Sequence, residues 1–226
     1  MIMSSCIMLP DCSTNSSVYL IGAGGFADEL LDWIYLDFPL FQFSGCLVTE
    51  KKDLSKESLQ LPSGANLPID IIDPARDYGG SFFLLAVASP PDKKRLVEQL
   101  GSLNLFPTSF ISSSAYVSPR SSLGSGVVIC PGSSLSPFSS VGDFVTLNCN
   151  SLLGHHSQVH DFCTMYGQNS LNGNAVMEDS SLLFSCSSIA PGVLVGARSR
   201  VGIGSVVVKN VPPDTVVFGN PAKKIF

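Results

Sequence analysis

The sequence predicts two units in series: an α/β unit, then a left-handed parallel β-helix. Three observations carry this expectation. One residue class recurs every six positions through the second half. The first half alternates short apolar runs with amphipathic stretches. Between the first apolar run and the first amphipathic stretch stands a glycine-rich turn, GAGGFA.

The six-residue period is the strongest signal. It runs Ile111, Val117, Leu123, Ile129, Leu135, Val141, Leu147, Leu153, Val159, Met165, Leu171, Met177, Leu183, Ile189, Val195, Val201, all aliphatic or methionine. Four places after each comes a small or β-branched residue, with Asn169 as the one bulkier polar exception. A fixed period of this kind marks a solenoid. Three hexapeptides make one triangular coil, so residues eighteen apart stack at the ~4.8 Å spacing of paired strands. The aliphatic residue fills the prism and the small residue sits where the corner narrows. Glycine often follows the aliphatic (Gly124, Gly142, Gly154, Gly196, Gly202), which suggests turn formation there. Five coils and one further rung are expected, without insertions.

In the first half, SVYLI (17–21), FSGCLV (43–48) and FFLLAVA (82–88) read as strands. FADELLDWIYL (26–36) and PDKKRLVEQL (91–100) read as helices, the second with proline in its first turn, where proline is tolerated. Such alternation implies a parallel sheet flanked by helices. Its length of about 90 residues suits half of a doubly wound sheet, a Rossmann-like half domain. The expected organisation is a flexible tail over 1–16, the half domain over 17–106, the β-helix over 107–212 and a C-terminal segment over 213–226.

Composition narrows the function. Charged residues are 14% and the net charge is −5, which offers no basic patch for nucleic acid. No apolar run is long enough for membrane insertion, and the first residues lack the pattern of a signal peptide. The seven cysteines are odd in number and form no CxxC pair, so neither a disulfide framework nor a cysteine metal site is indicated. Reduced cysteines imply a cytoplasmic location.

GAGGFADEL after the first strand, the uninterrupted array, and the closing VVVKNVPPDTVVFGNPAKKI together resemble a known group. They are similar to the hexapeptide-repeat sugar acetyltransferases related to sialic-acid O-acetyltransferase and the bacillosamine-pathway N-acetyltransferase. The resemblance runs from Val18 to Phe226, and GNPAKK is its most specific element. It implies a homotrimer with active sites between neighbouring prisms, acetyl-CoA as co-substrate along that interface, no metal, and a nucleotide-linked sugar as acceptor partner.

Acyl transfer needs a base for the acceptor's proton, donors for the oxyanion, and alignment of both substrates. The three histidines, His155, His156 and His160, all lie in GHHSQVHDF. The resemblance places the catalytic histidine at His155. It also places an oxyanion donor and cofactor contact at Gly173, one coil on, and an acceptor contact at Asn148. Where relatives have an acid beside the base this chain has His156, the candidate orienting residue. Where they have a further histidine it has Thr164, which with Lys209 is the expected remaining cofactor contact. Gly22, Gly24, Gly25 and Phe26, with Thr49, Glu50 and Lys51 after the second strand, are the expected nucleotide-sugar contacts. Asp143, Asp161 and Asp179 form an eighteen-residue ladder that either caps turns or supplies a carboxylate to another subunit.

The expected activity is acetyl transfer to the amine of a nucleotide-linked amino sugar in surface-glycan biosynthesis. Sugar O-acetylation is the near alternative. A metal site like that of γ-type carbonic anhydrases, suggested by HHSQVH, lacks a third histidine outside this cluster. A non-catalytic trimeric scaffold and a dinucleotide-dependent redox role are the remaining readings.

Overall fold

The computed structural model describes residues 8–9, 17–50 and 57–225. The chain passes from one compact unit to the other at Phe110–Ile111, a few residues later than expected. Of the tail over 1–16, only Met8 and Leu9 are among the described residues. They are attached: Met8 bridges to Ser109, and the Leu9 N–H donates to the Ser109 carbonyl at 2.9 Å.

The first unit holds β1 (Val18–Ile21), α1 (Gly25–Asp37), β2 (Gly45–Val48), β3 (Ser58–Gln60), β4 (Asn66–Ile71), β5 (Ser81–Leu85), α2 (Pro90–Leu100) and β6 (Leu105–Pro107). The sheet order is β3-β4-β2-β1-β5-β6, parallel throughout except where β3 meets β4. β1 is buried along its whole length, as a strand covered on both faces must be. In α1 the residues Ala27, Leu30, Leu31 and Ile34 are buried, the spacing of one apolar helix face. β4 was not expected, because Pro68 and Asp70 obscure it; Leu67 and Ile69 point inward in alternation with them. The chain leaves β1 for β2 on one side and returns to β5 on the other. That makes the carboxyl ends of β1 and β5 the point where the winding reverses.

The second unit is the expected prism. Strands of two residues stack in three parallel walls, each pairing residues eighteen apart: Val128 with Thr146 in the first, Ser134 with Leu152 in the second, Ser140 with Gln158 in the third. The inward aliphatics form one core, with Leu135, Leu147, Leu153, Met165, Leu171, Met177 and Leu183 all fully buried. Many of the small corner residues are buried serines that satisfy themselves locally. Ser151 Oγ donates to the Asn148 carbonyl at 2.6 Å, and Ser157 Oγ to that of Gly154 at 2.7 Å. Asn169, the exception in the pattern, does the same with an amide. Its Nδ2 donates to the carbonyls of Tyr166 and Leu183, and its Oδ1 accepts the Ser187 N–H.

Two expectations are corrected. The left-handed corner residue stands three places after the aliphatic, not one: Phe138, Asn150, His156, Phe162 and Asn174 have φ between 58° and 62°. The glycine directly after the aliphatic serves close approach instead. A Cβ on Gly154 would lie 2.5 Å from the Gly173 nitrogen in the next coil. The array also runs further than Val201. Val207 keeps the phase; then the chain shortens by two residues, so that Val211 bridges to Val195 and Val217 pairs with Val201. Pairing thus extends past residue 212, and the strands Val216–Gly219 and Ala222–Lys224 close the first wall as an antiparallel hairpin.

Candidate active site

The strand Leu152–Leu153 buries Leu153, and the turn after it carries His155 and His156 outward at the corner between the second and third walls. Both histidines are exposed. The Nδ1 atoms of the two rings are 3.2 Å apart. Gly173 occupies the corresponding place one coil on, and the His155 ring lies against it. A Cβ there would stand 2.8 Å from both Cε1 and Nε2 of His155. The Nε2 edge therefore faces Gly173 while Nδ1 is engaged by His156.

At this corner place the backbone N–H points away from the coil and needs a partner from elsewhere. The Ser125 N–H finds Asp143 Oδ1 at 2.7 Å and the Asp143 N–H finds Asp161 Oδ1 at 2.8 Å. Asp143 and Asp161 of the aspartate ladder thus cap turns. Among the described residues the Gly173 N–H donates to no acceptor. It is an N–H beside an imidazole nitrogen, left available to a ligand.

The other expected contacts are dispersed. Asn148 stands at the corner before Leu152–Leu153, one edge away from His155, and its Oδ1 accepts the Cys149 N–H at 2.7 Å. Seven residues exceed one rung by a single place, so within one prism the two cannot share a corner. Thr164, in the strand Thr164–Met165 of the first wall, is fully buried, which leaves it no surface for a cofactor. Lys209 is exposed and follows Val206–Val207 as His155 follows Leu152–Leu153, on the same wall. His160 is exposed on the third wall, beside a shallow depression lined by Gln158, Asp161 and Asp179. Among the described residues no three histidine, cysteine or acidic side chains gather as metal ligands would.

In the first unit, Gly22 has φ 104°, and a Cβ on it would lie 2.8 Å from Val87 Cγ2, so only glycine fits where β1 ends beside the chain leaving β5. Gly24 and Gly25 have open space above them at the N-terminus of α1, which has no side-chain cap. Unpaired amides and the helix dipole make such a place receptive to a phosphate. Phe26 lies edge-on to Trp33, with centroids 6.5 Å apart. The Gly22 N–H donates to the Leu47 carbonyl, which brings the loop next to the end of β2 and so to Thr49 and Glu50. Lys51 lies outside the described residues. No helix among the described residues is long and apolar enough to cross a membrane.

The chain is thus an α/β half domain followed by a hexapeptide prism. Solved structures similar over nearly the whole chain bear this out. A mutant perosamine N-acetyltransferase from Caulobacter crescentus, in complex with CoA and GDP-perosamine, has a TM-score of 0.82 at 23% identity, covering 94% of this chain and 98% of that one. WeeI from Acinetobacter baumannii has a TM-score of 0.80 at 21% identity over 93% of this chain and all of its own. The acetyltransferase domain of PglB from Neisseria gonorrhoeae, in complex with acetyl coenzyme A, has a TM-score of 0.77 at 20% identity over 94% and 100%. Sequence matches are short. Serine acetyltransferases 4 and 2 of Arabidopsis thaliana are each 45% identical over 47 residues, so the match spans 13% and 15% of their lengths. No protein-family model matches the chain.

Proposed function

We propose that the protein transfers the acetyl group of acetyl-CoA to the amine of a nucleotide-linked amino sugar. The observation that carries this reading is the His155–Gly173 pair, a nitrogen base beside an unused backbone donor. The amine nitrogen attacks the thioester carbonyl and forms the C–N bond. His155 Nε2 takes the proton that the nitrogen releases, and the Gly173 N–H stabilises the oxyanion. As the C–S bond breaks, the CoA sulfur leaves with a proton, completing the exchange. His156 orients the His155 ring. Gly22, Gly24, Gly25 and Phe26 hold the nucleotide phosphates at the N-terminus of α1, with Thr49, Glu50 and Lys51 beside them, and Lys209 contributes to holding CoA.

The likeness to proteins that bind CoA with GDP-perosamine, or acetyl coenzyme A, supports these two substrates over a redox cofactor. The working form is a cytoplasmic homotrimer in surface-glycan biosynthesis. In a trimer, the edge of one prism that carries Asn148 can meet the His155 edge of its neighbour.

The test is direct assay of the purified protein with acetyl-CoA and a panel of nucleotide-linked amino and hydroxy sugars, following thiol release and product mass. An alkali-stable acetylated product from amino sugars alone supports the proposal; alkali-labile esters would make the protein an O-acetyltransferase. Activity lost on chelation and restored by metal would overturn the metal-free mechanism.

A further inference from the structure

One edge of the prism carries a stack of side chains that ends on His156. Arg120, Phe138 and His156 are successive corner residues, eighteen positions apart. Phe138 and His156 both hold the left-handed backbone, with φ 62° and 59°, and the stacked backbones place their side chains one above the other. Their rings are stacked, with centroids 4.9 Å apart and planes at 26°. On the other side the Arg120 guanidinium carbon lies 4.8 Å from the Phe138 centroid. Phe138 is 51% exposed, unlike Phe144 at 8%, which stacks on Phe162 at another edge. Burial accounts for Phe144 but not for Phe138.

The His155–His156 contact supplies the reason for a stack. Two N–H groups cannot face each other across 3.2 Å, so one Nδ1 donates and the other accepts. Only when His155 donates is its Nε2 left with a lone pair for a substrate proton. A carboxylate beside the base would accept over a broad range of orientations. An imidazole has a single in-plane lone pair, so it accepts only if its ring is held at the right angle. On an exposed turn, nothing but a neighbouring surface can hold it.

We propose that Phe138, clamped by Arg120 through a cation–π contact, is a positioning residue that fixes the His156 ring as the acceptor of the His155 Nδ1 proton. This rests on His155 being the base, but its test does not need turnover. With only three histidines in the chain, nitrogen NMR of 15N-histidine-labelled protein, assigned by single replacements, reads each tautomer separately. Wild-type His155 is expected in the Nδ1–H form.

Phe138→Asn removes the ring but keeps a residue at ease in the left-handed corner. It is expected to give a mixed His155 tautomer. It should also lower kcat about 10-fold, part of the ~10²–10⁴-fold that a general base supplies. The KM for acetyl-CoA and the oligomeric state should not change. Phe138→Trp, which restores a flat surface, should recover both tautomer and kcat. Retention of the wild-type tautomer in Phe138→Asn overturns the proposal, whether or not kcat falls. Failure of His155→Ala to slow turnover would instead remove the base itself and leave the tautomer result standing.

Discussion

The His155 imidazole occupies the space that a side chain on Gly173 would need: a methyl built there stands 2.8 Å from both Cε1 and Nε2. The glycine therefore does two things. It presents an unused N–H and it makes the seat on which the ring rests. The ring and the N–H are linked by one steric condition, so a side chain at Gly173 must displace His155.

Gly173→Ala keeps the backbone N–H, so its expected cost comes from the methyl crowding the site, up to the ~10²–10⁴-fold that a general base supplies. Because the methyl displaces His155, the double variant Gly173→Ala/His155→Ala should lose much less than the product of the two single losses. A full cycle of the four proteins measures this, with light scattering to confirm a common assembly. Independent losses would mean that the two residues act separately.

His155→Ala should reduce kcat by ~10²–10⁴-fold. His156→Ala should cost less, and His160→Ala least. All three side chains are exposed, so melting temperatures should stay close to wild type. Acetyl-CoA binding, read by calorimetry, should survive in each. A larger loss in His156→Ala than in His155→Ala would exchange their roles.

Asp161→Ala removes the acceptor of the Asp143 N–H. At an exposed corner this should destabilise the prism by about 0.5–1.5 kcal/mol and leave turnover within about twofold, because no rate term depends on a cap. Thermal melts and assays on the same preparation decide it. A collapse of turnover without loss of stability would restore this carboxylate as a partner of a histidine in another subunit.

Leu171→Ala opens a cavity at a fully buried core position and should cost ~2–5 kcal/mol, measured by denaturant unfolding. A cost below about 1 kcal/mol would mean that the walls collapse onto the gap.

The prism was legible because one inward residue per rung must be apolar, and nothing local competes with that demand. The Asn169 exception was visible, but its solution was not, since it depends on carbonyls of its own turn and the next coil. The site was half legible. His155 and Gly173 meet because eighteen residues is one coil, an arithmetic that sequence supplies. Asn148 fell at another corner by the same arithmetic, and Thr164 proved buried, which spacing alone does not reveal. Phe138 gave no signal at all. Its meaning lies in ring orientation, and a phenylalanine at a corner reads in sequence like the buried Phe144.

Along the three walls each new strand pairs with one laid down a single coil earlier: Ser134 with Leu152, Leu152 with Ser170, Ser170 with Ser188. Loop-closure entropy rises with the logarithm of loop length, and here the closures span nearly the same short stretch, eighteen residues along the array and sixteen at its last rungs. No coil has to wait for a distant segment to arrive. Growth of the prism is thus a zipper, with a costly first coil and repeated cheap additions, although a parallel sheet ordinarily assembles slowly. Native-state hydrogen exchange should show the same grammar, with amide protection grading along the axis and weakest in the last rungs before the terminal hairpin.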